Sequence, residues 1–266
     1  MASLKLTVEE FSEDPEQQAV DQRAFRVLRD YLQPDSETSL GAASTSILNI
    51  LPENDPKELS ILSLSELCIE LAEQIPYSHP SQMKLVRLLQ QVAQSPKVVT
   101  CSIPLRRLGE CLRDNLQTPD EENLAAWVNF HSFVAKVESL VWPARVKPTW
   151  AIWAMRDAFE DDKYYPSDAV RDTYVLGAAQ YVLFRGQDLV QRIACPGIVS
   201  DEDERHWSPG PRYSGPASLD LARWRYWRDG FKAAAASGTA SDEIKSLAGK
   251  TVALMDALQE AMPGLD

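Results

Sequence analysis

The segment Asp168–Ile193, DAVRDTYVLGAAQYVLFRGQDLVQRI, decides the fold because both of its sides are apolar. At about 100° per residue, Val170, Tyr174, Gly177, Tyr181 and Phe184 fall on one side of a helix. Val175, Ala179, Val182, Val190 and Ile193 fall on the other. A surface helix hides one stripe, whereas a helix apolar on both sides is surrounded, so the segment predicts a central helix with others packed around it. Gly177-Ala178-Ala179 takes bulk from its middle, where a neighbouring helix or a ligand can approach the backbone.

Outward from this segment, helical spacing recurs and strand alternation does not. Asp55-Pro56 and Thr118-Pro119-Asp120-Glu121 read as N-caps followed by proline at the first helical position, the second as a full capping box. Trp127, Phe130, Val134, Val137 and Val141 then recur at three and four residues and predict one broad apolar face. Further helices are predicted near 16–33, 36–50, 57–75, 80–94, 103–115, 149–161, 168–193, 218–236 and 241–261. The last repeats apolar residues at Ile244, Leu247, Ala248, Thr251, Leu254, Met255 and Leu258. Only Leu4–Val8 and Lys97–Cys101 read as strand, too few for a sheet. The expected fold is all-α, about ten helices in one domain. A composition break at 114–120 separates an acidic N-terminal lobe (about 1–115) from an aromatic-rich C-terminal lobe (about 118–262), and six of the seven tryptophans follow residue 130.

A chain of 266 residues can bury a large core without disulfides or metal. Its four cysteines, Cys68, Cys101, Cys111 and Cys195, form no Cys-x-x-Cys pair, and three histidines are too few to complete a zinc site. The net charge is −12, and residues 1–80 hold fifteen acidic and five basic residues, −10 by subtraction, which argues against a nucleic-acid partner. The N-terminus lacks a signal peptide's basic and apolar regions, and the most apolar stretch, Tyr174–Phe184, is too short to span a bilayer. The expectation is a cytoplasmic protein with no membrane span.

Function is sought first in the loop from Cys195 to Ser218, where prolines and glycines forbid regular structure. Trp207 and Tyr213 make it an ordered loop packed over helices. His206 within it is the candidate acid or base, against the plainer reading of an exposed histidine after Asp201-Glu202-Asp203-Glu204. In the helix before it, Trp150, Trp153, Ala154 and Asp157 share one arc, and near 218–236 Trp224, Trp227, Arg228 and Phe231 share another. Asp157 and Arg228 thus lie among apolar residues, where they either pair with each other or face one aromatic-walled cavity. His131 reads as a hydrogen-bonded packing residue and His79-Pro80 as a helix entry. Glu160-Asp161-Asp162 resembles the aspartate-rich magnesium motif of class I terpene cyclases, but Tyr164-Tyr165 follows and no second triplet exists, so a solvated helix end is expected. No P-loop, dinucleotide fingerprint, nucleophile elbow or zinc-protease helix occurs, and no cofactor or metal is expected.

The elements Trp150-Ala151-Ile152-Trp153-Ala154-Met155-Arg156-Asp157, Ala178-Ala179-Gln180-Tyr181 with Gly186-Gln187, and Pro196-Gly197 resemble a fungal family catalogued as a domain of unknown function. So do Trp207-Ser208-Pro209-Gly210-Pro211, Arg223-Trp224, and Trp227-Arg228-Asp229-Gly230-Phe231. The resemblance spans 145–262, and departs from the family's pattern at Phe184-Arg185 and Cys195. It implies an ascomycete source and a helical fold, and transfers no catalytic residue. Two functions stay open at this point. One is a cofactor-independent enzyme of fungal secondary metabolism, a cyclase or pericyclase, holding an apolar small molecule among Trp150, Trp153, Tyr174, Tyr181, Gln187, Trp207, Trp224 and Trp227, with Asp157, Arg228 and His206 as catalytic groups. The other is a non-catalytic helical protein that meets a protein partner through the acidic N-terminal lobe.

Overall fold

The structure is a computed structural model that describes residues 3–51, 59–99, 103–119, 121–142, 146–162 and 165–262. Among the described residues there are twelve α-helices, one π-helical turn and no strand. Two compact units form, one from residues 1–118 with 140–142, the other from 119–139 with 143–266.

The first unit holds α1 (Pro15–Tyr31), α2 (Leu40–Ile50), α3 (Leu59–Gln74), α4 (Pro80–Ala93), the short α5 (Pro96–Val99) and α6 (Ile103–Asp114). Side chains set the helix starts. Asp14 Oδ1 accepts from the Glu16 and Gln17 amides at 2.9 and 3.0 Å ahead of Pro15, and Ser39 caps α2. His79 caps α4, its Nδ1 accepting from Ser81 N–H at 3.2 Å, which is the helix entry expected of His79-Pro80. Helix α1 packs on α2 and α3, α2 on α4, and α3 on α4 and α6, burying Leu28, Leu32, Leu71, Ile75 and Leu85 completely. Leu4–Val8 pairs with no strand: Gln33 bonds both the N–H (3.0 Å) and C=O (3.2 Å) of Leu4, and Gln74 bonds both of Thr7 at 2.9 Å. Two side-chain amides thus supply what a neighbouring strand would. Lys97 lies in α5 rather than a strand, and Cys101 and the Asp55-Pro56 cap lie outside the described residues.

The second unit is built on α9 (Asp168–Ala194), whose 27 residues run along α12 (Asp242–Glu260), α11 (Leu221–Ala236) and α8 (Thr149–Met155). Both sides of α9 are buried, as its sequence requires, from Val170 through Tyr181 to Ile193. Helix α7 (Leu124–Leu140) begins six residues after Thr118, so Thr118 is not its cap, and Val128–Glu138 is buried all round rather than on one face. Gly177 is where close approach is used: a Cβ there would stand 2.4 Å from the Trp127 ring of α7. Gly177→Ala is expected to destabilise by about 1–3 kcal/mol in urea titrations, because the indole must leave its rotamer. No described helix is long and apolar enough to cross a membrane, and no described histidine, cysteine and carboxylate group clusters as metal ligands would.

Candidate functional site

The carboxylate of Glu160 and the guanidinium of Arg223 meet in the core of the second unit, both side chains fully buried. Helix α8 runs into a π-helical turn, Arg156–Glu160, closed by Asp161 N–H to Arg156 C=O at 3.0 Å. Met155 and Glu160 are both fully buried, and this five-residue step is the spacing of a π turn; Arg156 to Phe159 between them are half-buried. Helix α11 starts at Leu221 because Asp220 Oδ1 accepts from Arg223 N–H at 2.8 Å. Its buried stripe is Arg223, Trp224, Trp227 and Phe231.

Arg223 grips Glu160 with two parallel bonds, Nε to Oε1 at 2.8 Å and Nη2 to Oε2 at 3.0 Å. Glu160 also accepts from Trp227 Nε1 (2.6 Å) and Gly210 N–H (2.9 Å). Arg223 Nη1 donates to the carbonyls of Trp207 (2.7 Å) and Ser218 (3.0 Å), and its guanidinium lies over the rings of Tyr213 and Trp227. One ion pair therefore ties the π turn, α11 and both ends of the loop Trp207–Ser218 together. The carbonyls that end the π turn are satisfied as well: Asp157 by Tyr165 OH (2.8 Å), Phe159 by Tyr226 OH (3.1 Å) and Glu160 by Arg212 N–H (2.8 Å). Only glycine fits at 210, where a Cβ would stand 2.6 Å from the Glu160 carbonyl oxygen.

Two cavities flank this hub. One, of about 400 Å³, is walled by the loop Pro196–Val199, Trp207 and Leu219. Its charged groups are already matched: Lys147 Nζ lies 2.7 Å from Asp203, Arg192 bonds Asp188 at 3.0 Å, and Asp220 caps α11. The Lys147 hydrogen bond, with those from Ser200, holds the Asp203 carboxyl at about 2. The other cavity, of about 600 Å³, lies over the π turn between α9 and α11. Phe159, Val175, Ala233, Ala234 and Ala240 form its apolar walls, with Arg171, Asp172, Arg212, Tyr226 and Asp229 at the polar edge. Burial pushes the Tyr226 phenol up, with Glu160 acting in the same direction and Arg212 against it.

The sequence-predicted residues scatter over three places. Trp207 and Trp227 join the Glu160–Arg223 hub, and Trp224 is fully buried beside them in core packing. Trp207 is 8% exposed, its Nε1 bonded to Thr149 Oγ1 at 3.0 Å, so the loop is packed as expected; it is not wholly irregular, since Ser200 caps a short helix α10 (Asp201–His206). Trp150 is half-buried on α8, and Trp153 donates from Nε1 to the His206 carbonyl at 2.7 Å. His206 itself is exposed and touches neither cavity. Tyr174 and Tyr181 pack with Trp127 and His131 in a separate aromatic cluster, where Tyr181 OH and His131 Nδ1 share a 3.3 Å hydrogen bond. Gln187 points from α9 to solvent.

Asp157 and Arg228 do not pair. Arg228 is one residue beyond the buried stripe, its side chain 30% exposed, and its Nε stands 2.5 Å from Asp256 on α12. Asp157 is half-buried on the π turn. The pairs that are buried are Glu160 with Arg223 and Glu138 with Arg185, and Glu160 is the reverse of the solvated helix end its acidic run suggested. The available signal was Arg223-Trp224 preceding Trp227 by helical spacing, with Gly210 between prolines; nothing local marks Glu160, because a π turn has no sequence signature as plain as a cap.

Fold and hub define an all-helical protein whose second unit carries two buried Glu–Arg pairs, Glu138 with Arg185 and Glu160 with Arg223, the latter bonding the π turn, α11 and the Trp207–Ser218 loop beside a ligand-sized cavity. The chain belongs to the family described as a protein of unknown function, DUF3632, which matches residues 66–231 and so takes in Glu160, Gly210, Arg223 and Trp227. No curated protein and no solved structure matches it.

Proposed function

We propose that the protein acts on an apolar small molecule held in the larger cavity of the second unit, as a cofactor-independent enzyme of the cyclase, pericyclase or isomerase kind in fungal small-molecule metabolism. The observation that carries this reading is the cavity itself: about 600 Å³, walled by Phe159, Val175 and the alanines of α11, with charged groups confined to one edge. That size and lining suit a drug-sized apolar ligand. Its floor is the π turn, in which the Asp157, Phe159 and Glu160 carbonyls and the Glu160 carboxylate are anchored by hydrogen bonds, and this holds the shape of the cavity. A rigid apolar shape favours the folded conformer of a flexible substrate, and holding that conformer is the greater part of catalysing a rearrangement in which no atom is gained or lost.

The test is to screen neutral apolar fragments by ligand-observed NMR against the wild type and Ala234→Phe, which fills the cavity from α11. Hits are expected in the wild type and lost at least tenfold in the variant. Incubation with conjugated trienes and tethered diene–dienophile compounds should then give a product of unchanged mass and new retention time, absent with Ala234→Phe. Hits indifferent to Ala234→Phe would remove the cavity from the function.

A second reading has its own observation. The first unit carries a groove of about 280 Å³ in which Phe11, Leu62 and Leu67 sit among Glu10, Asp14, Asp21, Glu66 and Glu70. Burial raises the carboxyls of Glu66 and Glu70, with Asp21 adding to it at Glu66 and the Glu9 charge at Glu70. A cation relieves such crowding, so this groove suits a basic amphipathic segment of a partner protein, without catalysis.

A further inference from the structure

Each charged group on the edge of the larger cavity has an ionic partner within the protein except one. Arg171 bonds Asp168 at 2.9 Å and Asp172 at 3.1 Å, and Asp229 lies 3.3 Å from Arg228. Arg212 has no carboxylate within ion-pairing distance among the described residues, although acidic residues outnumber basic ones by 39 to 27 in this chain. Its place is nonetheless fixed. The Arg212 N–H bonds the Glu160 carbonyl at 2.8 Å, the next amide, Tyr213, bonds Gly210 C=O at 3.1 Å, and Gly210 N–H is held by the buried Glu160 carboxylate at 2.9 Å. The buried ion pair therefore fixes the backbone of Arg212, an exposed residue on the rim of this apolar cavity.

Resting on the reading that this cavity holds the ligand, we infer that its ligand is an apolar molecule bearing one anionic group, a carboxylate or its equivalent, and that Arg212 is the residue that receives it. A guanidinium fork matches a carboxylate with two parallel bonds, and an alanine and phenylalanine wall accepts the hydrocarbon body behind it. The rim also limits the charge. Asp172 and Asp229 flank the same opening and Arg171 is already engaged by Asp168 and Asp172, so a second negative group on the ligand meets carboxylates and no unpaired cation among the described residues. The Tyr226 hydroxyl already donates to Phe159 C=O at 3.1 Å, which leaves Arg212 as the donor for an incoming anion. Arg212 acts in this scheme as a specificity residue: it chooses the ligand's charge and sets which end of the molecule faces solvent.

Calorimetric titration of the full chain with 1-naphthylacetate and its neutral match 1-naphthylacetamide tests this. The acid is expected to bind about tenfold more tightly than the amide at low salt, with the gap closing at high salt. Arg212→Gln should remove the preference by weakening the acid far more than the amide, and Arg212→Lys should restore part of it. Ala234→Phe should abolish binding of both. Equal affinity for acid and amide, a preference that survives Arg212→Gln, or no saturable acid binding at millimolar concentration would each overturn the assignment. Acid and amide binding that both survive Ala234→Phe would overturn the cavity reading itself, and are distinguished from a failure at Arg212 by that variant alone.

Discussion

Arg223→Met is expected to lower the stability of the second unit by about 3–5 kcal/mol in urea titrations, because it leaves the Glu160 carboxylate buried without its counter-charge. Glu160→Leu is expected to do the same from the other side. The pair is more than a pair, however, and this sets the outcome of the double change. In simple buried ion pairs, replacing both partners with apolar residues restores most of the stability. Here Trp227 Nε1–H and Gly210 N–H would lose their acceptor, and the Trp207 and Ser218 carbonyls their donor. Each buried polar group left unmet costs about 1–3 kcal/mol. Glu160→Leu with Arg223→Met should therefore recover little, and remain several kcal/mol below the wild type. A double variant as stable as the wild type would show that the hub is a replaceable ion pair and not the fastening of the loop.

His131 should make the second unit acid-labile. Burial pushes its imidazole down to about 3, so the folded protein keeps it neutral while the unfolded chain protonates it below about 6.5. The folded pKa is the depressed one, so this contribution is fully present above 6.5 and drains away as pH falls toward 3, at up to about 1.4 kcal/mol per pH unit. His131→Phe removes that slope. It also deprives Tyr181 OH of its partner, which lowers the whole curve without tilting it. Urea midpoints for both proteins between pH 7 and 4.5 should diverge in slope; parallel curves would mean that His131 takes up its proton in the folded state.

Both predictions concern residues that the chain reveals unequally. His131 was legible as a packing residue from its place beside the apolar positions of α7, whereas Tyr181, expected on the apolar α9, was assigned to a ligand and instead packs on His131. Glu160 and Arg223 were not legible. A helical projection assumes one angular step per residue, and the π turn at Arg156–Glu160 breaks that assumption within the segment where the inward-facing charge had to be found. On α11 the projection missed by a smaller margin. Arg228 lies one residue past Trp227, close enough to the stripe to be drawn into it, yet α12 presents Asp256 and draws Arg228 outward instead.

The sequence by itself determined that this protein is all-helical, where most helices start and that α9 is surrounded, because caps and apolar periodicity are local and one chain carries them whole. It also determined that the loop around Trp207 is packed, since tryptophan there has only the core to enter. Tertiary structure alone decided which acid meets which base, which tryptophans line a cavity and which fill the core, and that Arg212, on the cavity's rim, has no carboxylate partner among the described residues. Those outcomes turn on side chains tens of residues apart coming within 3 Å, 63 residues in the case of Glu160 and Arg223. Spacing along the chain holds no record of a distance that folding alone creates.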